Sequence, residues 1–97
     1  MNNSSATRPN QSWWVYIVLC HDNTYYTGIS PDVANRIHMH NSGKGAVYTR
    51  GRTPVILMYS EKLVSRGEAS KREHALKKLS RIQKELLIKN QGPHQQE

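Results

Sequence analysis

The chain has 97 residues, of which 36% are apolar and none is Phe, so we expect one small domain with a small core. Such a core excludes a large enclosed cavity or a bulky cofactor and favours a shallow surface site. Fourteen Lys and Arg against seven Asp and Glu give a formal net charge of +7, which favours a polyanionic partner. Nucleic acid is the commonest such partner, and an acidic membrane surface is the alternative.

Cysteine use and hydropathy indicate where the protein works. The single cysteine, Cys20, excludes an intramolecular disulfide and a CxxC metal site and suits a reducing compartment. The longest apolar run, residues 13–20, is far shorter than the roughly 20 residues of a membrane span. We therefore expect a cytoplasmic protein with a folded domain over residues 12–90, a disordered polar tail at 1–11 and a polar tail at 91–97.

The first two predicted elements form a hairpin. Residues 13–20 (WWVYIVLC) are aromatic and β-branched, as in a buried strand. Turn-forming residues at 21–23 separate them from a second strand-like run at 24–29 (TYYTGI), and this pattern predicts antiparallel pairing. Gly28 near the end of that run indicates a bulge or a close backbone approach.

A helix, a loop and a third strand follow. Ser30 is predicted to be the N-cap and Pro31 the first helical residue, with the helix ending at residues 41–43. Residues 43–53 contain three glycines and are predicted to be a loop. Residues 54–60 (PVILMYS) are predicted to be the third strand.

The C-terminal part is predicted to be helical. Ser65 and Glu68 match a capping box, and an apolar stripe follows. A second capping pattern at residues 80–83 leaves open whether the helix breaks near Ser80. The order ββαβα(α) predicts an α+β fold, with a small antiparallel three-stranded sheet flanked by helices.

Four short motifs occur in a distinctive order. Val-Tyr-Ile at 15–17 and Tyr-Thr-Gly at 26–28 lie on the two hairpin strands; Arg36 and His40 follow on a helix, and Glu73 on a later one. In this order the chain resembles the GIY-YIG nuclease domain, and among its members the small stand-alone bacterial proteins of the YhbQ type.

The resemblance implies a set of site residues. The two motif tyrosines, the motif glycine, the helical arginine, the proton-handling residue and the only metal-binding carboxylate correspond to Tyr16, Tyr26, Gly28, Arg36, His40 and Glu73. The sequence departs from the family pattern at three positions: Val15 replaces a glycine, Thr27 an isoleucine, and Glu85 an asparagine that many relatives carry.

The chemistry of these residue types suits phosphodiester hydrolysis. Mg²⁺ or Mn²⁺ commonly binds through one carboxylate, waters and a substrate phosphate, so Glu73 suffices as its protein ligand. The guanidinium of Arg36 matches phosphate oxygens. Tyr26 is expected to orient or deprotonate the attacking water, and Tyr16 to hold the phosphate or that water. With an ordinary pKa near 6.5, His40 is an alternative proton handler.

Basic and aromatic side chains outside this set are expected to contact DNA phosphates, mostly without reading sequence. They come from the loop at 44–52 and the basic helix at 71–89: Lys44, Tyr48, Arg50, Arg52, Lys71, Arg72, Lys77, Lys78 and Arg81. The resemblance implies a role in DNA repair or the damage response.

Other functions remain open at this point. Glu85 in place of the asparagine leaves room for a non-catalytic nucleic-acid-binding module that retains the fold. Net charge alone also permits an adaptor that docks an acidic protein. For a nuclease, RNA as well as single-stranded, branched or damaged DNA, endonuclease as well as exonuclease action, and any oligomeric state remain compatible with the residues.

Overall fold

A computed structural model describes residues 12–91 of the chain. The tails expected at 1–11 and 91–97 lie outside the described residues, except for Gln91, which ends the last helix. The order ββαβαα confirms the expected α+β fold. Its elements are β1 (Trp13–Leu19), β2 (Tyr25–Ser30), α1 (Val33–Asn41), a 3₁₀ turn (Val47–Thr49), β3 (Ile56–Leu63), α2 (Arg66–Lys77) and α3 (Arg81–Gln91).

The sheet has β1 at its centre and helices on both faces. The strand order is β2-β1-β3, and both pairings are antiparallel. Side chains alternate along β1, so Tyr16 and Val18 pack with α1, while Val15 and Ile17 pack with α2 and α3. Burial on both faces explains why the central strand is an unbroken apolar run.

The hairpin turn is tied to the loop that precedes β3. Asn23 has a φ of 69°, and Asp22 accepts hydrogen bonds from the backbone and hydroxyl of Thr24. Arg52 Nε donates to Asp22 Oδ2 at 2.9 Å, and the His21 amide donates to the Arg52 carbonyl at 2.7 Å. These contacts hold the middle loop against the end of the sheet.

The predicted start of α1 was wrong by two residues. Asp32 is the N-cap, and its side chain accepts a hydrogen bond from the Asn35 amide at 3.1 Å. Ser30 ends β2 instead, and its hydroxyl accepts from the Asp32 amide at 2.9 Å. Ser30 is paired with Trp14 as the last residue of β2, so its backbone belongs to the sheet and the helix begins only after Asp32.

Two capping serines define the C-terminal helices. Ser65 Oγ accepts a hydrogen bond from the Glu68 amide at 3.1 Å at the start of α2. At the start of α3, the Gln83 amide donates to Ser80 Oγ at 3.2 Å, and the Ser80 amide donates to Gln83 Oε1 at 2.8 Å. This reciprocal capping box separates α2 from α3 and settles the question that the sequence left open.

The third strand starts later than residues 54–60 suggest. Val55 is buried ahead of β3, and the Asn41 side chain binds its amide at 2.7 Å and its carbonyl at 3.2 Å. This segment is therefore fixed to the end of α1 before the sheet pairing begins. Among residues 12–91, no helix is long and apolar enough to cross a membrane.

Candidate active site

The strand register brings the two motif tyrosines and the motif glycine to the face that α1 covers. Tyr16 pairs with Gly28, and Val18 pairs with Tyr26. A Cβ at Gly28 would lie 2.6 Å from Tyr16 Oη and 2.8 Å from Tyr16 Cζ. The Tyr16 side chain therefore lies directly across the glycine, which is the close approach that a glycine in a strand indicates.

A chain of buried hydrogen bonds joins β1, α1 and the middle loop. Tyr16 Oη lies 2.7 Å from His40 Nε2, and His40 Nδ1 lies 2.8 Å from Thr49 Oγ1. The Thr49 hydroxyl donates in turn to the Ala46 carbonyl at 3.0 Å. Tyr16, His40 and Thr49 are each at most 1% exposed, so these hydrogen bonds are shielded from bulk solvent.

Burial keeps both Tyr16 and His40 uncharged near neutral pH. Desolvation raises the pKa of Tyr16 to about 12, with Arg36 opposing the shift and Tyr26 and Glu73 adding to it. Desolvation lowers the pKa of His40, and the positive charge of Arg36 lowers it further. A neutral hydroxyl thus faces a neutral imidazole.

Arg36 and His40 reach the same place because they lie four residues apart on α1. This spacing puts two side chains on one helix face, where Val33 and Ile37 also pack into the core. Arg36 is half-buried, and its charge acts on both Tyr16 and His40. The guanidinium is therefore held beside the tyrosine–histidine pair.

Tyr26 lies at the centre of an aromatic cluster. Its ring centroid is 5.4 Å from that of His40, 6.4 Å from that of Tyr16 and 5.9 Å from that of Tyr48, on which it stacks. The Arg52 guanidinium lies over the Tyr48 ring, 4.1 Å from its centroid. Tyr48 stacks on the half-buried Tyr26 ring, while His40 meets that ring edge-on, and together these contacts fix its orientation.

An open cleft of about 310 Å³ runs along β2, the edge strand of the sheet. It is lined by three successive residues of that strand and by side chains from the middle loop, α2 and α3: Tyr25, Tyr26, Thr27, Tyr48, Lys77 and Lys84. The cleft therefore gives solvent access to Tyr26 between aromatic rings and two lysines.

Glu73 reaches the site from α2. It shares a helix stripe with Ala69 and Leu76, which are both buried against the sheet, so its side chain is only 21% exposed. Its carboxylate lies 3.1 Å from Lys77 Nζ, and its negative charge is close enough to Tyr16 to raise the pKa of the tyrosine.

The donor set fits a hard divalent cation that is only partly held by protein. No three His, Cys, Asp or Glu side chains come together anywhere in the described part of the chain, so a cage of protein ligands does not form there. Mg²⁺ needs no such cage, because it keeps several waters and binds through one or two carboxylates plus substrate phosphates. Glu73 supplies the carboxylate, and Lys77 is the charge that the cation would replace.

The side chains expected to bind DNA fall into two groups. Lys44, Arg50 and Lys78 are exposed, as a phosphate contact requires, and Tyr48 lines the cleft. The remaining five form ion pairs within the protein: Arg52 with Asp22, Lys71 with Glu68, Arg72 with Glu61, Lys77 with Glu73, and Arg81 with Glu85. The pairs of Arg52 and Arg72 hold separate elements together, whereas the other three each lie within one helix.

Arg81 also makes contacts outside its own helix. Arg81 donates to Glu85 at 3.0 Å and to the Asn23 carbonyl at 2.7 Å, and its guanidinium lies 4.7 Å from the Tyr25 ring centroid. Arg81 thereby ties α3 to the hairpin turn. Glu85, at the position where many relatives carry asparagine, is an exposed partner in that contact.

Sequence analysis missed two residues of the middle loop that contact His40. Thr49 binds His40 Nδ1, and the backbone of Gly45 lies so close that an added Cβ would collide with the imidazole. A glycine-rich loop with a threonine was visible in the sequence. Nothing in its pattern showed that these two positions turn inward.

The chain is similar in sequence to known proteins. Residues 12–86 match the family described as the GIY-YIG catalytic domain. The chain is 55% identical over 74 residues to the UPF0213 protein of Halobacterium salinarum, covering 76% of this chain and 96% of that one. It is 51% identical over 75 residues to a UPF0213 protein of Staphylococcus haemolyticus, covering 77% and 92%.

Two solution NMR structures are similar in fold and sequence. The UPF0213 protein from Bacillus halodurans is 46% identical, with a TM-score of 0.54 over 84% of this chain and 86% of that one. A protein from E. faecalis is 39% identical, with a TM-score of 0.58 over 94% and 98%. These comparisons confirm the resemblance to the GIY-YIG domain and the three-stranded α+β fold.

Proposed function

The chain belongs to the GIY-YIG catalytic domain family, and we propose that it is a divalent-metal-dependent nuclease that hydrolyses phosphodiester bonds in DNA. One observation carries the proposal: a tyrosine, a histidine and an arginine gather at one face of the hairpin, with a carboxylate within electrostatic reach. Phosphodiester hydrolysis needs these groups to activate a water and to compensate charge on the phosphoryl oxygens.

Tyr16 and His40 form the proton path. The resting tyrosine is protonated, since its pKa is about 12, and its Oη lies 2.7 Å from Nε2 of the neutral His40. As the water oxygen attacks phosphorus, the water proton passes to Tyr16 Oη while the tyrosine proton moves to His40 Nε2. A second water protonates the leaving alkoxide. Proton handling of this kind contributes roughly 10²–10⁴-fold to a rate.

Arg36 and Glu73 handle charge. The Arg36 guanidinium offers planar donors to the non-bridging phosphate oxygens and stabilises the negative charge that develops on them. Glu73 would hold Mg²⁺ or Mn²⁺, which when bound supplies further compensation for that charge. With the cation bound, Lys77 would no longer pair with Glu73 and could contact a neighbouring phosphate.

The cleft along β2 receives the DNA strand next to the cleaved bond. Tyr26 faces it and orients the attacking water, and Tyr48 offers a ring on which a base can stack. Lys77 and Lys84 line the same cleft and suit backbone phosphates. The protein acts as an endonuclease or an exonuclease in DNA repair or the damage response, a role that rests on the family resemblance.

The test is cleavage of end-labelled single-stranded, duplex and flapped DNA with Mg²⁺ or Mn²⁺. Wild type is compared with Glu73→Gln, which keeps the shape of the side chain and removes its charge. Glu85→Gln is the matched control, because it removes a helical carboxylate that pairs with Arg81 on the surface.

We expect cleavage by wild type and by Glu85→Gln, and none by Glu73→Gln or in EDTA. Binding without cleavage in every lane would overturn the proposal and favour a non-catalytic nucleic-acid-binding module. Equal cleavage by wild type and Glu73→Gln would show that the Glu73 carboxylate takes no part in the reaction.

A further inference from the structure

Thr49 contacts the histidine of the site on the side opposite Tyr16. Its hydroxyl oxygen lies 2.8 Å from His40 Nδ1, while His40 Nε2 lies 2.7 Å from Tyr16 Oη. A neutral imidazole carries one N–H, on either nitrogen. The group that faces Nδ1 therefore decides whether Nε2 meets Tyr16 as an acceptor or as a donor.

Counting hydrogens favours one arrangement. The Thr49 hydroxyl has one hydrogen, and it points to the Ala46 carbonyl at 3.0 Å, which can only accept. Towards His40 the hydroxyl oxygen then acts as an acceptor, so Nδ1 carries the hydrogen. The buried Tyr16 hydroxyl also needs an acceptor, which the neighbouring Arg36 cannot provide because a guanidinium only donates. Nε2 without a hydrogen meets that need.

We propose that Thr49 is a positioning residue that holds His40 in the Nδ1–H tautomer, so that Nε2 is free to take the proton of Tyr16. The loop is built for this contact. The Gly45 backbone closes on the imidazole so tightly that no side chain fits there, and Thr49 itself is fully buried. A histidine in the other tautomer would donate to Tyr16 and could accept no proton from it.

The consequence for cleavage rests on the proposed function, whereas the tautomer does not. A nuclease with the wrong tautomer would bind DNA normally and lose turnover. Removing the partner that orients a metal-ligating histidine typically lowers metal affinity or activity by roughly 10–100-fold, and we expect a loss of similar size for this histidine. Thr49 should therefore affect kcat and leave KM nearly unchanged.

Two substitutions isolate the hydroxyl. Thr49→Val is close in shape and removes it, and the Ala46 carbonyl keeps a second donor, the Thr49 amide at 3.1 Å. Thr49→Ser keeps the hydroxyl and removes only a methyl group. Thr27→Val is a matched control for the tautomer, because Thr27 is also buried and its hydroxyl has no hydrogen-bond partner within residues 12–91.

The primary measurement is the protonation of each His40 ring nitrogen by ¹⁵N NMR, at a pH above the ordinary histidine pKa of about 6.5. We expect the hydrogen on Nδ1 in wild type, Thr49→Ser and Thr27→Val, and a shift towards Nε2 in Thr49→Val. Wild type alone tests the assignment, so a variant that failed to fold would not remove the test.

Cleavage kinetics are the second measurement. We expect kcat of Thr49→Val to fall by roughly 10–100-fold with KM little changed, and Thr49→Ser to retain most of the wild-type kcat. A hydrogen on Nε2 in wild type, or an unchanged tautomer in Thr49→Val, would overturn the proposal. If the tautomers behave as expected and wild type cleaves no DNA, Thr49 keeps its assigned role and the proposed nuclease function fails.

Discussion

At the scale of single residues, Gly28 leaves the space that the Tyr16 side chain fills, since a Cβ there would lie 2.6 Å from the phenol oxygen. Gly28→Ala should therefore displace a buried ring, at a cost of about 1–3 kcal/mol in the free energy of unfolding. The matched control is Gly67→Ala in the first turn of α2, where the new Cβ would lie 3.8 Å from Ser65 Oγ, an ordinary van der Waals contact.

The midpoints of urea denaturation report the stability of both glycine variants. We expect Gly67→Ala to be as stable as wild type or more stable by up to about 1 kcal/mol, because alanine restricts the unfolded chain. Similar midpoints for Gly28→Ala and Gly67→Ala would show that Tyr16 does not lie across the glycine as described.

The pH dependence of stability follows from the buried tyrosine–histidine pair. Burial lowers the pKa of His40 below 6.5, so the unfolded state binds the proton first and stability falls as the pH drops below 6.5. The pKa of Tyr16 is raised from 10.0 to about 12, so that contribution to stability is present below pH 10 and is lost as the pH rises towards 12.

Unfolding measured across the pH range separates these two contributions. His40→Gln should flatten the acid side of the curve. Tyr16→Phe should reduce the loss on the alkaline side by on the order of 2 kcal/mol, leaving the contributions of Tyr59 and Cys20, whose pKa values burial also raises. Curves for wild type and both variants that run parallel at every pH would contradict the burial of this pair.

At the scale of elements, ion pairing distinguishes the roles of two basic residues, Arg72 in α2 and Lys78 at its C-cap. Lys78 is exposed, whereas Arg72 donates to Glu61 at 2.9 Å, and Glu61 also accepts from Tyr59. Lys78→Gln should lower the salt dependence of DNA binding by roughly one unit in log K against log salt. Arg72→Gln should instead lower the free energy of unfolding, by up to about 1 kcal/mol for this half-exposed pair.

Filter binding or fluorescence anisotropy at several salt concentrations gives the slopes, and urea denaturation gives the stabilities. The pair of variants is informative because each residue controls for the other. If Lys78→Gln and Arg72→Gln lowered the slope of log K against log salt equally, the ion pair with Glu61 would not keep Arg72 from contacting DNA.

The elements differ in how far their sequence predicts them. β1 and β2 were predictable because their apolar and turn residues act locally, and Ser65 marked the start of α2 in the same way. The N-cap of α1 was misassigned, because Ser30 and Asp32 both carry capping side chains and only the pairing of Ser30 with Trp14 in the sheet decides between them.

The middle loop was the least predictable part of the candidate site. Its basic residues suggested phosphate binding, yet Arg52 binds Asp22 and stacks on Tyr48. Gly45 and Thr49 turn inward to His40, a contact that depends on how the loop folds over α1 and that no spacing in the sequence encodes. The order of the motifs predicted the candidate site residues. Tertiary packing determines which other side chains contact them.

At the scale of the whole molecule, the candidate site lies where residues far apart in sequence meet at the β2 side of the sheet. The hairpin supplies the tyrosines, and α1 supplies Arg36 and His40. From the opposite face of the sheet, α2 supplies Glu73. A chain with a small core thus places a shallow charged cleft on its surface, in keeping with its composition and its net charge of +7.

The central claim is that these residues act together as one metal-dependent hydrolytic site, and the single-turnover rate constant of DNA cleavage at saturating protein tests it most directly. We expect Glu73→Gln and Tyr16→Phe each to lower the rate by roughly 10²-fold or more, and the double variant to lose little beyond the worse single variant. The claim would be contradicted if EDTA left the wild-type rate unchanged and Glu73→Gln cleaved DNA as fast as wild type.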